Sequence, residues 1–368
     1  MKRRLKKPVK IAIFVILAFV LLGAGYGCWR ILHDRSIASL SLSADEAALT
    51  VEAGTEQPDY SSIFHSQSEY TVDGNVDIMK TGTYPVTVTV HGKNLIGQPK
   101  DAEYSYTFTV QDTTAPDLKI DESRAFVLAG EPFDPLSHFI SAEDLLDGSI
   151  TLDSGRIVRK DSEDLTKLGE HTIVLSAADS SGNEVEKSYV LAVGKKEEGK
   201  NPYVIRINRA ENTVNVYMMN ENGEYALPAA AMVCSTGTAT PAGTFHIGNK
   251  TEWRSLFGGV FGQYAIDITG DILFHSVPYF TQEKNNLEYE EYNKLGTAAS
   301  LGCIRLCVRD VKWIYDTCPS GTLVEIYDEA GVPGPLGKPE PVHIDTSDSR
   351  KGWDPTDPDP ENPWNTKS

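Results

Sequence analysis

Residues 300–317 read Ser300-Leu301-Gly302-Cys303-Ile304-Arg305-Leu306-Cys307-Val308-Arg309-Asp310-Val311-Lys312-Trp313-Ile314-Tyr315-Asp316-Thr317. In the second half, Val308, Val311, Ile314 and Tyr315 recur at helical spacing, predicting a helix over roughly Cys307 to Thr317 with one apolar face. The first half sets a thiol beside a glycine at a strand-to-helix junction. That position suits a nucleophile, because glycine permits close backbone approach, N–H groups there can face an oxyanion, and positive potential lowers a thiol pKa. Working outward, apolar alternation punctuated by Gly and Pro predicts strands at Tyr203–Asn208, Thr213–Met219, Ala230–Ser235, Gly243–Ile247, Ala265–Ile268 and Leu323–Tyr327. Phe274-His275-Ser276 ends a further apolar segment that starts at Ile272, and an imidazole at His275 can take the thiol proton once folding brings it within reach. By residue type alone, a buried structural thiol at Cys303 and a surface histidine at His275 are the default reading.

The 368 residues hold 34 Lys+Arg against 52 Asp+Glu, a formal charge of −18. With 40% hydrophobic residues the chain can build packed cores, which excludes a wholly disordered or disulfide-knot protein. Six of the bases (Lys2, Arg3, Arg4, Lys6, Lys7, Lys10) stand in the first ten residues, so the remainder is more acidic still and repels phosphate backbones. Nucleic acid is therefore not expected as a partner. Ile11 to Trp29 is a run of 19 residues with no ionisable group except Tyr26 and Cys28, long enough to cross most of a bilayer. The preceding cations place the amino terminus in the cytoplasm and everything beyond residue 35 outside, which makes 1–35 a basic segment plus a single-pass cell-membrane anchor. A cleaved signal peptide is the alternative; the length of the run and the absence of an A-x-A site argue against it.

Between anchor and catalytic candidate the chain repeats itself. Val51-Glu52-Ala53-Gly54, Gly82 to Val90 and Ser105 to Val110 are echoed by Val127-Leu128-Ala129-Gly130, Gly169 to Leu175 and Ser188 to Val193, each alternating apolar with polar residues as half-buried strands do. The unit resembles bacterial immunoglobulin-like repeats, including the Asp179-Ser180-Ser181-Gly182-Asn183 turn, and the resemblance implies two β-sandwiches at 36–112 and 113–194 acting as spacers. Asp144 and Asp147 beside Gly148 could form a metal loop, but acidic turns are more often simply solvated, and no metal is expected. Gly194 to Lys200 reads as a charged linker. Residues 329–368, with Asp354-Pro355-Thr356-Asp357-Pro358-Asp359-Pro360, are expected to be disordered.

Residues 201–328 resemble the L,D-transpeptidase (YkuD-type) catalytic domain. The resemblance is carried by Cys234-Ser235-Thr236-Gly237, Thr240-Pro241-Ala242-Gly243-Thr244-Phe245, Phe274-His275-Ser276, Ser300-x-Gly302-Cys303-Ile304-Arg305-Leu306 and Gly321-Thr322-Leu323-Val324, in that order. It implies a β-rich domain with one main helix, so that the fold class of the whole chain is mainly β. It also implies that Cys303 attacks a peptidoglycan tetrapeptide stem, releases D-Ala as a thioester forms, and passes the acyl group to an amine, or to water in a carboxypeptidase. In that family His275 is the base and the Ser276 carbonyl orients it, the Gly302 and Cys303 amides form the oxyanion hole, and Arg305, Ser300 and Tyr264 contact substrate. No cofactor is implied, and covalent inhibition by carbapenems is. Arg305 alternatively makes a surface salt bridge. The family also familiarly carries cysteines at both places occupied here by Cys234 and Cys318, which leaves a disulfide or two core thiols open. Cys307 and Cys318 stand at opposite ends of the helix, about 16 Å apart at 1.5 Å per residue, too far to bridge.

Two departures stand out. The family usually has a second histidine before the motif glycine, where this chain has Leu301, and the stretch from Gln282 to Gly296 is longer than usual. Its Glu288-Tyr289-Glu290-Glu291-Tyr292 core is expected to form a lid over the cleft. A non-catalytic wall-binding or adhesion protein and a sortase-like thiol transpeptidase are the rival readings; Thr240 to Phe245 argues against the second.

Overall fold

The computed structural model describes residues 7–38, 40–94 and 98–365, and side chains at 36–38 are not described. Lys2, Arg3, Arg4 and Lys6 lie outside the described residues. The chain is mainly β and divides into two compact units, one comprising Met1–Lys119, Ile140–Val158 and Ser176–Glu186, the other Ile120–Phe139, Arg159–Leu175 and Lys187–Ser368.

In the first unit, Lys7–Ala38 is one helix, and its Lys7–Arg35 portion is long and apolar enough to cross a membrane. A four-stranded sheet runs in the order Thr50–Glu52, Pro99–Gln111, Gly82–Lys93, Tyr70–Asp73. Its central hairpin pairs Gly82 with Val110 through to Lys93 with Pro99. The period-2 alternation puts Val86, Val88, Phe108 and Val110 on one buried face against Ile63 and Phe64.

The second unit contains the catalytic candidate. Its strands are β1 (Tyr203–Asn208), β2 (Thr213–Met219), β3 (Tyr225–Val233), β4 (Gly243–His246), β5 (Lys250–Ser255), β6 (Phe261–Thr269), β7 (Ile272–Ser276), β8 (Ile304–Leu306) and β9 (Leu323–Tyr327), with helices α1 (Tyr289–Tyr292) and α2 (Val308–Thr317). One sheet has the order β3-β2-β1-β9-β4, the other β5-β6-β7-β8. β1 and β2 are buried on both faces, Val204, Ile205 and Ile207 in the first and Thr213, Val214, Asn215 and Val216 in the second being at most 2% exposed, whereas β9 alternates and buries Val324 and Ile326. α2 lays Val308, Val311 and Ile314 into the same core.

Within 113–194, Ala125–Leu128 pairs in parallel with Leu191–Gly194, Leu128 and Ala192 join the buried core of the second unit, and Phe126 packs edge-on against Trp313 at 5.3 Å. Two expectations change here. The stretch Gly194 to Lys200 is not a free linker, since the Lys195 N–H donates to the Met219 carbonyl at 2.8 Å. Finally, residues 329–365 are ordered against the domain. Ile344, Asp354, Asp357 and Asn362 are buried, and the Asp354 carboxylate accepts from the Val308 N–H at 2.8 Å, capping α2. The disorder expectation rested on Pro and Asp content. Here those residues build successive Asx turns instead, with Asp354 accepting from the Thr356 N–H, Asp357 from Asp359 and Asp359 from Glu361.

Candidate active site

β7 and β8 pair in parallel, Phe274 opposite Ile304 and His275 opposite Arg305. This register places Cys303, the residue before β8, in one cleft of about 540 Å³ with His275, Ser300, Gly302 and Arg305. The opposite wall comes from the β5–β6 hairpin, with Arg254, Leu256, Phe257 and Val260, and the floor includes Asp271, Ile272 and Leu273. The nucleophile does not sit at the start of the helix: β8 intervenes, and the α2 N-terminus is used by Asp354 instead.

His275 is only 2% exposed, and its Nδ1 lies 2.6 Å from the Ser276 carbonyl oxygen. A carbonyl can only accept, so Nδ1 carries the proton and Nε2 keeps its lone pair. Burial, helped by the Arg305 charge and opposed by the Ser276 bond, presses the imidazole pKa down to about 4. Ser276 is fixed in turn, its hydroxyl accepting from the Gln263 N–H and donating to the Val277 carbonyl. The ring has space because the neighbouring strand carries Gly262, where a Cβ would come within 2.9 Å of His275 Cβ, Cγ and Nδ1. Sequence reasoning missed this glycine; Phe261-Gly262-Gln263, a glycine inside an alternating strand, was the available signal.

The Cys303 thiol donates to the Asp271 carbonyl at 3.5 Å. Burial pushes its pKa up; a bond from the Leu273 backbone and the Arg305 charge partly offset this, and Asp271 adds to it. At neutral pH the resting pair is thus thiol and neutral imidazole.

The loop carrying Cys303 is held from behind by the Cys234–Gly237 segment. Ser235 and Arg305 exchange backbone bonds at 2.8 and 3.0 Å, the Ser300 N–H donates to the Thr236 carbonyl, and Thr240 Oγ1 donates to the Gly302 carbonyl at 2.7 Å. Gly302 is closely packed: a Cβ there would meet Ile272 Cδ1 at 2.8 Å and Ala239 at 3.3 Å, so the tip of Ile272 would have to shift. Neither the Gly302 nor the Cys303 N–H makes a backbone hydrogen bond among the described residues. Ser300 turns its hydroxyl onto the Cys303 carbonyl at 2.6 Å.

Other candidates land elsewhere. Tyr264 is not on the cleft: it adopts φ +53°, and its ring meets Tyr315 at 5.3 Å and Lys312 at 5.2 Å on α2. Cys234 and Cys318 are free, fully buried thiols whose pKa values burial raises, so the disulfide is not formed. Leu301 occupies the rim, 65% exposed. The Gln282–Gly296 insert does not line the cleft. Leu287, Tyr292 and Leu295 anchor it in the core, so the expected lid is a fixed segment outside the cleft lining. In the first unit, Asp112, Asp144 and Asp179 bring ligand oxygens within 4.8 Å of one another and are the residues there that could hold a metal ion. Asp147 instead pairs with Arg156 and binds Ser180.

Residues 202–326 match the family model of the YkuD L,D-transpeptidase catalytic domain. This part of the chain belongs to that family. Among curated proteins, the chain is 42% identical over 92 residues to one named as the L,D-transpeptidase YciB of Bacillus subtilis (strain 168), covering 24% of this chain and 46% of that protein. The chain thus spans about half the length of the relative it matches. Among solved structures, a fused Zn-dependent amidase/peptidase/peptidoglycan-binding-domain protein from Clostridium acetobutylicum is 28% identical, with TM-score 0.27, over 34% of this chain and 52% of that one. L,D-transpeptidase 3 from Mycobacterium tuberculosis, solved in complex with a faropenem-derived adduct, is 20% identical, with TM-score 0.25, over 44% and 69%.

Proposed function

We propose that this YkuD-domain protein is a peptidoglycan L,D-transpeptidase working through a Cys303 thioester, held at the cell membrane by its amino-terminal helix with the catalytic domain on the wall side. The observation that carries the reading is the convergence of Cys303 with a buried His275 whose Nδ1 is tied to Ser276, leaving Nε2 as the base. Because the resting pair is neutral, proton transfer accompanies attack. His275 takes the thiol proton as sulfur adds to the carbonyl carbon of the third stem residue, and the unpaired Gly302 and Cys303 amides receive the oxyanion. The C–N bond to D-Ala then breaks, and His275 returns the proton to the leaving amine. An amine of a neighbouring stem attacks the thioester, the C–S bond breaks, and the acceptor's proton restores the thiol; water as acceptor would give carboxypeptidase activity. Residues 36–112 and 113–194 are read as immunoglobulin-like repeats that serve as spacers. No resident metal or organic cofactor enters the scheme.

The test is intact-mass spectrometry of the full chain in detergent after exposure to a carbapenem and, separately, to a disaccharide tetrapeptide, alongside Cys303→Ala. An adduct confined to Cys303 with release of D-Ala is expected. A folded protein that gives neither, while retaining affinity for the wall, would favour the binding-protein reading.

A further inference from the structure

Arg305 is the point at which the insert meets the cleft. Its Nη1 donates to Glu291 Oε2 at 2.8 Å and to the Ala299 carbonyl at 3.3 Å, and its buried Nε has no hydrogen-bond partner. The Arg305 side chain is only 17% exposed, and Glu291 is the carboxylate paired with it. Glu291 is itself held: Lys294 Nζ donates to its other oxygen, and its N–H donates to the Glu288 carbonyl. Burial works to raise the Glu291 pKa, but the bonds from Lys294 and Arg305 outweigh it and keep the carboxyl ionised.

The segment bearing Glu291 is equally constrained. Tyr292 and Leu295 are buried on one side. On the other, Asn293 exchanges hydrogen bonds with Ile344, and the Gly352 carbonyl accepts from the Leu287 N–H. An ion pair between two groups already ordered loses little side-chain entropy on forming, unlike a mobile surface pair.

We propose that Glu291 is a positioning residue for the cysteine site, fixing the Arg305 guanidinium at the cleft wall and partly neutralising the charge that it presents to Cys303 and His275. The insert and the carboxyl-terminal segment behind it thereby act on the chemistry through one carboxylate, without touching the reacting atoms. This rests on the reading of Cys303 as the nucleophile. The other charged groups in play are Asp271 and Arg254 lining the cleft, and Glu288 and Lys294 beside Glu291. Among the described residues neither carboxylate of these four, Asp271 or Glu288, is bonded to Arg305.

The experiment follows the pH dependence of Cys303 alkylation by iodoacetamide in the full chain in detergent, read by peptide mapping so that the exposed Cys28 does not interfere. The variants are Glu291→Gln, Glu291→Asp and Arg305→Gln, with Glu291→Gln also made in the Arg305→Gln background. Releasing Arg305 from its counter-charge favours the thiolate. Glu291→Gln is therefore expected to move the alkylation midpoint to lower pH and to raise the rate at pH 7 about threefold. Arg305→Gln should move the midpoint upward, and adding Glu291→Gln to it should change nothing further. Glu291→Asp, which keeps the charge on a shorter arm, should give a smaller downward shift and covers the case in which Glu291→Gln does not fold. An unchanged midpoint in folded Glu291→Gln, or an equal shift in the Arg305→Gln background, overturns the proposal. Absence of D-Ala release from the wild type would instead overturn the transpeptidase reading, so the two failures are distinguishable.

Discussion

Gly262→Ala isolates the contribution of imidazole placement. The backbone at Gly262 is not in the left-handed region, so alanine meets no conformational strain there, and the effect is purely steric. The new Cβ would stand 2.9 Å from three atoms of His275, whereas carbon contacts settle at about 3.5–4.0 Å. The ring or β6 must therefore yield by roughly 0.6–1 Å. β6 is pinned between β5 and β7, which leaves the ring to move and compromises the 2.6 Å bond to Ser276 that sets the tautomer. Misplacement of a catalytic group by about 1 Å costs on the order of 10²-fold in rate. The overpacking should also cost about 1–3 kcal/mol of stability. The assay is D-Ala release from a disaccharide tetrapeptide, with carbapenem acylation followed by intact mass and folding checked by circular dichroism. The expected result is a fall of about 10² in kcat/KM in a folded protein. A folded Gly262→Ala enzyme within threefold of wild type would refute the argument that the glycine exists to seat His275.

Two further outcomes follow from the same geometry. His275 must be neutral to accept the thiol proton, and its pKa is depressed to about 4; kcat/KM should thus hold its plateau down through pH 6 and fall only as pH approaches 4, and an acid limb centred near 6.5 would show the imidazole to be less buried than the structure has it. Ile344, 2% exposed in the catalytic core, should cost about 2–5 kcal/mol when changed to alanine, measured as a lowered denaturant midpoint of the domain's unfolding; an unchanged midpoint would return residues 329–368 to the status of a free tail.

What could be read from the chain alone were the local patterns. β1, β2 and β9 were legible to the residue, β1 and β2 as mostly apolar runs bounded by turn residues and β9 as a short alternation after Gly321. α2 was legible because Val308, Val311 and Ile314 face one way, and the amino-terminal helix because its apolar run is too long for a core element. Cys303 and His275 stood out only through the resemblance of the motifs around them to those of the L,D-transpeptidase family. The β5 strand, Lys250-Thr251-Glu252-Trp253-Arg254-Ser255, was missed, since it is half exposed and mostly polar.

The tertiary structure decided everything that depends on residues far apart in sequence. Only the parallel register of β7 on β8 places Cys303 and His275 in one cleft, and only packing sends Tyr264 to α2 rather than to substrate. Composition marked residues 329–368 as disordered because Pro and Asp disfavour helix and sheet. It could not register that Asx turns need neither, or that the orphan N–H of Val308 would find its acceptor 46 positions later in Asp354. A free N–H at a helix start is a local fact, but which distant carboxylate satisfies it is a property of the folded chain alone.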